Sequence, residues 1–151
     1  MLNDTNRRLL RHLLDDPTET LQELASRVGI TAAVAARRLD KLSAQGVIKG
    51  QHAIIDWNAL GYAVEVSLRF TIDKTESRGF DEFLKEARKV PEVVEIQTFL
   101  GRVDVRLSVI ARDIAHYQEI YRHRILTLPH ISDIDALMRV ATIKSANALP
   151  L

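Results

Sequence analysis

The spacing of the apolar residues changes once along the chain, and this change constrains the fold more than any other feature. Up to about residue 50 the apolar residues recur at helical spacing, as in the run from Leu9 to Leu14. From Tyr62 to Ile72 apolar and polar residues alternate, which is typical of a half-buried strand. A chain of 151 residues can hold two small domains. We therefore predict a helical domain over residues 1–60 and a strand-containing domain over residues 61–151.

Three short helices are predicted in the first domain. Asp4 is expected to cap the first helix, which ends before Pro17 because a residue that precedes proline avoids the helical conformation. The second helix covers about residues 20–27, and the third is capped by Thr31 and closed by Gly46. The inward-facing residues are expected to be Leu9, Leu10, Leu13, Leu14, Leu21, Leu24, Ala25, Val28, Val34, Ala35, Leu39 and Leu42.

A helix, a short turn at Gly29 and a second capped helix form the pattern of a helix-turn-helix. Two short apolar runs, Val47-Ile48 and Ala53–Ile55, flank Gly50 and predict a small hairpin, which would make the motif a winged helix-turn-helix. The pattern leaves open the alternative of a plain three-helix bundle without a DNA role.

The second domain has the predicted order β-α-β-β-α-β, which is the ferredoxin-like arrangement of an antiparallel sheet with both helices on one face. The fold class is therefore α+β, with an N-terminal winged helix-turn-helix followed by a ferredoxin-like βαββαβ sandwich domain. The predicted elements are strands at Tyr62–Ile72, Val93–Leu100, Val103–Ala111 and Ile131–Ile143, and helices at residues 78–89 and Ile114–Leu126, with Phe80, Phe83, Leu84, Ala87, Ile114, Tyr117, Ile120, Tyr121 and Ile125 facing inward.

The other face of this sheet mixes charges with small residues, and we expect it to pack against a second copy across a two-fold axis. Charges such as Glu65 and Arg106 would then pair between the copies. The charged residues of this face are Glu65, Arg69, Glu95, Arg106, Asp135 and Arg139.

Several function classes are excluded by what the chain lacks. It has no cysteine, so thiol nucleophiles and cysteine-ligated metals are absent. It also lacks the phosphate-binding, nucleophile-elbow and zinc-protease motifs, so we expect no catalytic residues and no cofactor. His116, Glu119 and His123 share one predicted helix, but histidines two turns apart chelate a metal poorly, and we expect no metal site. Without a signal-like start or a membrane-length apolar run, we expect a cytoplasmic protein that does not contact membranes.

The order of motifs along nearly the whole chain resembles the Lrp/AsnC (leucine-responsive / asparagine regulator, "feast/famine") family of transcriptional regulators. The opening LNDTNRRLLRHLLDDPTETLQELASRVGIT resembles its first helices, and RRLDKLSAQGVIKGQHAIID resembles its recognition helix and wing. ALGY, VPEVVEI, GRVDV and LPHI resemble segments of its ligand-sensing domain. The resemblance implies a sequence-selective regulator that binds double-stranded DNA as a homodimer, or as an octamer of four dimers. It also implies that a small effector, commonly an amino acid, modulates DNA binding or assembly.

The net charge of +1 requires any DNA contact to come from a local patch. A recognition helix reads base edges from its exposed N-terminal part, and three alanines there can touch only thymine methyl groups. Much of the selectivity is therefore expected from DNA shape. Arg38 matches the family's usual arginine, for which phosphate contact and internal packing both stay open. The predicted DNA-binding residues are Thr31, Ala32, Ala33, Arg37, Arg38, Lys41 and Lys49.

The resemblance also implies an effector site at the Gly-x-x-Asp loop, which is Gly101–Asp104 here, at a contact between dimers. Gly101 would bring its peptide groups close to a carboxylate, and Asp104 would receive an ammonium group. Ile134 and Ala136 stand where the family often has Ser or Thr, which favours an apolar effector. The predicted ligand-binding residues are Gly101, Arg102, Asp104, Ile134 and Ala136. A turn in which Asp104 caps nearby amides is the structural alternative.

Two other functions stay open at this point. Tetrapyrrole (siroheme-type) decarboxylases resemble the same two-domain architecture, but their Arg-His-Asn-Tyr stretch is missing, and Arg122-His123-Arg124 is the nearest approach to it. The alanines of the third helix motivate the other alternative, a ligand-sensing scaffold with an inactive DNA-binding head. Arg37, Arg38 and Lys41 argue against it. The identity of the effector, the operator sequence and the direction of regulation are not encoded in any readable pattern.

Overall fold

The computed structural model describes residues 3–144, which form two compact units. The first contains residues 3–54 and 143–144, and the second is Ile55–Thr142. The first unit holds three helices, and the predicted number of helices is thereby confirmed. They are α1 (Asp4–Asp15), α2 (Leu21–Val28) and α3 (Ala32–Ala44).

A side-chain cap fixes the start of α1. The side chain of Asn3 accepts the N–H of Asn6 at 2.9 Å, so the prediction that Asp4 caps this helix is wrong by one residue. Asp4 lies in the first turn and pairs with Arg8. Because Asn and Asp are about equally good caps, residue type alone does not decide between these two neighbours.

Helix α2 begins with a reciprocal capping box. The Thr20 hydroxyl accepts the N–H of Glu23, and the Glu23 carboxylate accepts the N–H of Thr20 at 2.8 Å. The hydrogen bonds that the Thr20 hydroxyl and N–H donate hold the pKa of Glu23 below its ordinary value. The helix ends at Gly29, whose φ of 74° is left-handed and is readily adopted by glycine. The predicted turn of the helix-turn-helix is therefore confirmed.

The core of the first unit is built by all three helices. It contains Leu9, Leu24, Ala25, Val28 and Ala35, with Ile30, Ala32 and Leu39 packed against it. Leu14 and Leu21 were predicted to face inward, but both are exposed. Leu14 lies in the last turn of α1 and Leu21 is the first residue of α2, so neither is flanked by a full turn of its own helix on both sides.

The segment predicted to form the wing hairpin contains no paired strands. In the part of the chain that the structure describes, residues 47–56 contain no β-strand, so the predicted strands Val47-Ile48 and Ala53–Ile55 are wrong. Most of this segment is exposed to solvent. Two such short strands could exchange only a few hydrogen bonds, and an isolated two-stranded hairpin is marginal in water.

The second unit has the predicted βαββαβ order, which is confirmed. Its four-stranded sheet is antiparallel, with the order β2-β3-β1-β4. The elements are β1 (Val64–Ile72), α4 (Gly79–Ala87), β2 (Val93–Thr98), β3 (Val105–Ala111), α5 (Ile114–Ile120) and β4 (Ile131–Met138).

Alternate residues of the two central strands form the core together with both helices. Phe70 and Phe83 meet at a ring-centroid distance of 4.9 Å where β1 faces α4. A shift of the strand by one residue would turn the largest apolar side chains of the unit toward solvent. The alternation of apolar and polar residues therefore fixes the register of the strand. The buried set is Val66, Leu68, Phe70, Ile72, Phe83, Ala87, Val105, Leu107, Val109, Ala111, Ile120, Ile125 and Leu128.

Some predicted details of this unit differ from the structure. Phe80 and Ile114 were predicted to face inward but are exposed, and each lies in the first turn of its helix. After Ile120 the predicted continuous helix becomes one π-helical turn, Tyr121–Ile125. Strand β4 ends at Met138 and not at the predicted Ile143.

The open face of the sheet carries ion pairs within the chain. Arg139 pairs with Glu65, Arg106 with Glu95 at 3.1 Å, and Arg69 lies 3.9 Å from Asp135. The predicted partners Glu65 and Arg106 therefore each have a different partner in their own chain. The reason is the register, which places Arg69 opposite Asp135 on β4 and Arg106 opposite Gln97, near Glu95, on β2.

Candidate functional sites

The exposed face of α3 is a stripe of residues at i, i+4 and i+8. Ala33, Arg37 and Lys41 are all exposed and follow this spacing, so they lie one above the other on the helix. Thr31 caps the helix, as predicted, by accepting the N–H of Val34 at 3.3 Å. The stripe runs from Ala33 in the first turn to Lys41 in the last turn, and it presents one methyl group and two positive charges, a surface suited to thymine edges and phosphates.

Two residues predicted for DNA contact face the interior of the unit. Ala32 packs against the core and is only partly exposed. Arg38 donates from Nη1 to the Asn6 side-chain oxygen at 3.0 Å and lies 3.5 Å from that of Asn3. Arg38 thus links α3 to α1 through Asn6, and its contact with DNA stays a prediction. One residue corresponds to a rotation of about 100° around a helix, which separates Arg38 from the exposed Arg37.

Lys49 lies beyond the end of α3. The helix is closed at Gly46, which has a φ of 71°, and the N–H of Val47 donates to the Leu42 carbonyl at 2.9 Å. This is the Schellman arrangement expected for a glycine after a helix. Lys49 follows as an exposed residue of the strand-free segment, so its position relative to α3 is not set by sheet pairing.

The Gly101–Asp104 loop joins β2 to β3 and is fastened to the end of β1. The N–H of Phe99 donates to the Asp104 carbonyl at 2.9 Å and closes the loop. The Thr71 hydroxyl donates to the Arg102 carbonyl at 3.1 Å, and the Asp104 N–H donates to the Phe70 carbonyl at 2.9 Å. Gly101 has a φ of 155°, a conformation that L side chains rarely adopt.

Asp104 is buried and already holds two partners. One carboxylate oxygen, Oδ2, accepts the N–H of Ile72 at 2.9 Å, and the other, Oδ1, lies 3.3 Å from Nζ of Lys74. The carboxylate therefore caps the end of β1. The capped amide lies on a neighbouring strand and not in the turn of the loop itself, and effector binding by Asp104 stays a prediction. Lys74 was not predicted from the sequence. It follows β1 by two residues, and the βαββαβ order brings the end of β1 beside the start of β3, so this order could have identified it.

Ile134 and Ala136 lie on β4, on the other side of β1 from the loop. They stand opposite Phe70 and Leu68, and Ile134 packs against the core while Ala136 is exposed. Strands are about 4.8 Å apart, so two strand spacings separate β4 from β3 within one chain. The structure therefore does not bring these two residues into contact with the Gly101–Asp104 loop.

His116 of α5 and His123 of the following π-helical turn border a cavity of about 220 Å³. His116 accepts the Arg112 N–H through Nδ1 at 3.2 Å, and Glu92, which also lines the cavity, pairs with Arg124 at 3.2 Å. Among residues 3–144, no group of three His, Asp or Glu side chains is placed to hold a metal ion. Within the same range, no helix is long and apolar enough to cross a bilayer.

Two family models match the chain, one for each unit. Residues 2–49 match a winged helix-turn-helix DNA-binding model, and residues 65–149 match the Lrp/AsnC ligand binding domain. The second match alone covers more than half of the chain.

Known proteins that resemble the chain are transcriptional regulators. An HTH-type transcriptional regulator of Mycobacterium tuberculosis is 33% identical over 118 residues, or 78% of each chain. The DNA-binding transcriptional activator DecR of Escherichia coli is 27% identical over 151 residues, covering 100% of this chain and 99% of its own. The structure of a Neisseria meningitidis transcriptional regulator in complex with L-Met matches with a TM-score of 0.90 at 23% identity, covering 99% of this chain and 97% of that one.

These relatives are regulators and not enzymes, so the decarboxylase alternative is set aside. The two matched models occur in the order that the two observed units require, DNA-binding unit first. This chain belongs to the Lrp/AsnC family of DNA-binding transcriptional regulators, with a winged helix-turn-helix unit and a ligand-binding unit.

Proposed function

We propose that this regulator acts in the cytoplasm as a homodimer, reads DNA with the exposed face of α3, and changes its DNA affinity when an amino acid binds its second unit. The observation that carries the proposal is the stripe of Ala33, Arg37 and Lys41, which is exposed while the neighbouring Arg38 is held by α1. Because two of its residues are charged and one is methyl only, we expect phosphate contacts and DNA shape to supply much of the selectivity.

The homodimer is supported by the chemistry of the open sheet face. Its ion pairs are partly to fully exposed and lie among small side chains such as Ser67 and Ser108. A surface with both signs of charge on adjacent strands is self-complementary under a two-fold rotation. Two DNA-reading units would then face two half-sites of a palindrome. Assembly of dimers into an octamer is an extension of the same proposal.

The amino-acid effector is supported by family membership and by the loop at the end of β1. The Neisseria relative is named as a complex with L-Met, which makes L-methionine a reasonable first probe here. Gly101, Arg102 and Asp104 belong to a loop that several hydrogen bonds hold in one conformation. A preformed loop loses little conformational freedom on binding, which favours affinity.

Fluorescence anisotropy tests the proposal directly. The full chain is titrated into a labelled duplex from upstream of its own gene, with a random duplex as competitor, at two salt concentrations and with or without L-methionine. We expect tighter binding to the upstream duplex, a steep salt dependence and a shift in affinity when methionine is added.

Each half of the proposal can fail separately. Equal affinity for both duplexes at both salts would argue against selective binding at this promoter, and absence of any DNA binding would favour the scaffold with an inactive head. Selective binding that methionine does not alter would remove methionine as the effector and leave the DNA half in place.

A further inference from the structure

The most exposed charge in the ion pair at the Gly101–Asp104 loop is the ammonium of Lys74, although the predicted ligand-binding residue is the aspartate. The Asp104 side chain is 13% exposed, whereas the Lys74 side chain that lies against it is 73% exposed. A molecule that approaches from solvent therefore meets the lysine ammonium before the carboxylate.

The contacts of Asp104 give the carboxylate a structural task. Its Oδ2 takes the N–H of Ile72 at 2.9 Å, and its Oδ1 lies 3.3 Å from Lys74 Nζ. A ligand ammonium at Asp104 would have to displace Lys74 or share a carboxylate that is mostly buried. An ammonium group has three donors, so Lys74 can keep Asp104 and still donate to a second partner.

The surroundings of Lys74 favour an anionic partner. Asp73, the neighbouring carboxylate, accepts the N–H of Thr75 at 2.9 Å, so it is held in its own turn. Arg102 is a second exposed cation of the loop, and its carbonyl is fixed to Thr71 of β1. Lys74 and Arg102 are thus exposed cations in two segments joined at the end of β1, while Asp73 is an exposed carboxylate engaged with its own turn and Asp104 is partly neutralised by Lys74.

We propose that Lys74 binds the carboxylate of the effector and that Asp104 is a positioning residue which holds the lysine in place. The inference rests on the proposed function and names the group through which this unit recognises an amino acid. It replaces the expectation that Asp104 itself receives the ammonium group. Because a lysine ammonium is a compact point charge, it recognises the negative charge of the ligand and demands no bidentate geometry.

Isothermal titration calorimetry on the full chain tests this with two probes. L-Methionine carries both an ammonium and a carboxylate group, whereas L-methioninol keeps the ammonium and lacks the carboxylate. The variants are Lys74→Gln, which keeps a donor for Asp104 but no charge, and Lys74→Arg, which keeps the charge. Lys89→Gln is the matched control, because Lys89 is also exposed and paired with a carboxylate, Glu86, at 2.6 Å.

We expect the wild type to bind methionine about tenfold to a hundredfold more tightly than methioninol, the range for a hydrogen bond to a charged group. Lys74→Gln should lose this preference by weakening methionine binding and leaving methioninol binding unchanged. Lys74→Arg should restore part of the preference, and Lys89→Gln should behave like the wild type.

Other outcomes overturn the inference. Methionine affinity that is unchanged in Lys74→Gln, or an equal loss for both probes, would show that Lys74 does not meet the carboxylate. Tighter binding of methioninol by Lys74→Gln would show that the ammonium goes to Asp104 and that Lys74 competes with it. A wild type that binds neither probe would instead overturn methionine as the effector in the proposed function, and the inference with it.

Discussion

The neighbouring residues Arg37 and Arg38 provide the sharpest test of how α3 is used. Both are arginines on the predicted recognition helix, yet Arg37 is exposed and Arg38 donates to Asn6 at 3.0 Å on α1. We predict that Arg38→Ala destabilises the packing of α3 on α1, whereas Arg37→Ala leaves stability unchanged within about 0.5 kcal/mol and weakens DNA binding.

The size of the Arg38 effect follows from its contacts. A hydrogen bond from a charged donor contributes about 1.5–3 kcal/mol, and the partial exposure of this one places it near the lower end. The Arg38 side chain is only partly buried, and its removal lets water reach the Asn6 oxygen, which limits the loss. We therefore expect a loss of about 1 to 2 kcal/mol in the free energy of opening, or roughly five- to thirtyfold faster exchange.

Hydrogen exchange of the full chain, read on peptides from α1 and α3, measures this loss, with peptides from β1 and β3 as the internal control. For Arg37→Ala we expect unchanged hydrogen exchange in α1 and α3. We also expect the loss of binding free energy to be greater for specific DNA than for random DNA, by about 1–3 kcal/mol if Arg37 contacts a base. The reasoning is refuted if Arg38→Ala leaves exchange in α1 and α3 unchanged while lowering the salt slope of DNA binding by about one, since that is the signature of a phosphate contact.

Three further predictions concern other parts of the chain. Asp104→Ala should remove the acceptor of the Ile72 N–H and destabilise the second unit by about 1–3 kcal/mol. It should also abolish the thermal-shift response to methionine while DNA binding is retained. An unchanged response would exclude Asp104 from the effector site. Arg106→Glu should break its pair with Glu95 and weaken dimerisation, and a variant that still sediments as a dimer at micromolar concentration would argue against this face as the interface. The pKa of Glu23 is lowered in the folded state, so the stabilisation of α2 by Glu23 should be present at neutral pH and be lost as the pH falls through that lowered pKa. Glu23→Gln should remove this part of the pH dependence of hydrogen exchange in α2. An identical pH dependence in the variant and the wild type would contradict the prediction.

The element order could be predicted from the sequence because it depends on periodicity, which burial enforces over many residues at once. In β1, a shift by one residue would expose Leu68 and Phe70 and bury Arg69, so only one register is compatible with the core. The wing could not be predicted in the same way. Its apolar residues are few, and no core in the described chain selects one conformation for residues 47–56.

Side-chain roles were harder to predict, because they depend on a partner that is distant in sequence. Arg38 and Asn6 are 32 residues apart, as are Asp104 and Ile72, and no local pattern marks either pair. The helical angle of about 100° per residue does place Arg37 and Arg38 on different faces, so that distinction was available from the spacing of Ala33, Arg37 and Lys41.

The aspartate of the Gly-x-x-Asp pattern, Asp104 in this chain, can bind a ligand or satisfy the backbone. A carboxylate in a glycine loop suggests a binding group for an ammonium, but a carboxylate beside the last N–H of a strand also satisfies the backbone, and burial favours that use. Once Asp104 holds Ile72, its remaining charge attracts a cation from the same chain, and Lys74 is the one that the β1–α4 connection supplies. The buried carboxylate then determines where an exposed ammonium stands, so the charge that the proposed site offers to a ligand is opposite in sign to the one that the pattern alone suggests.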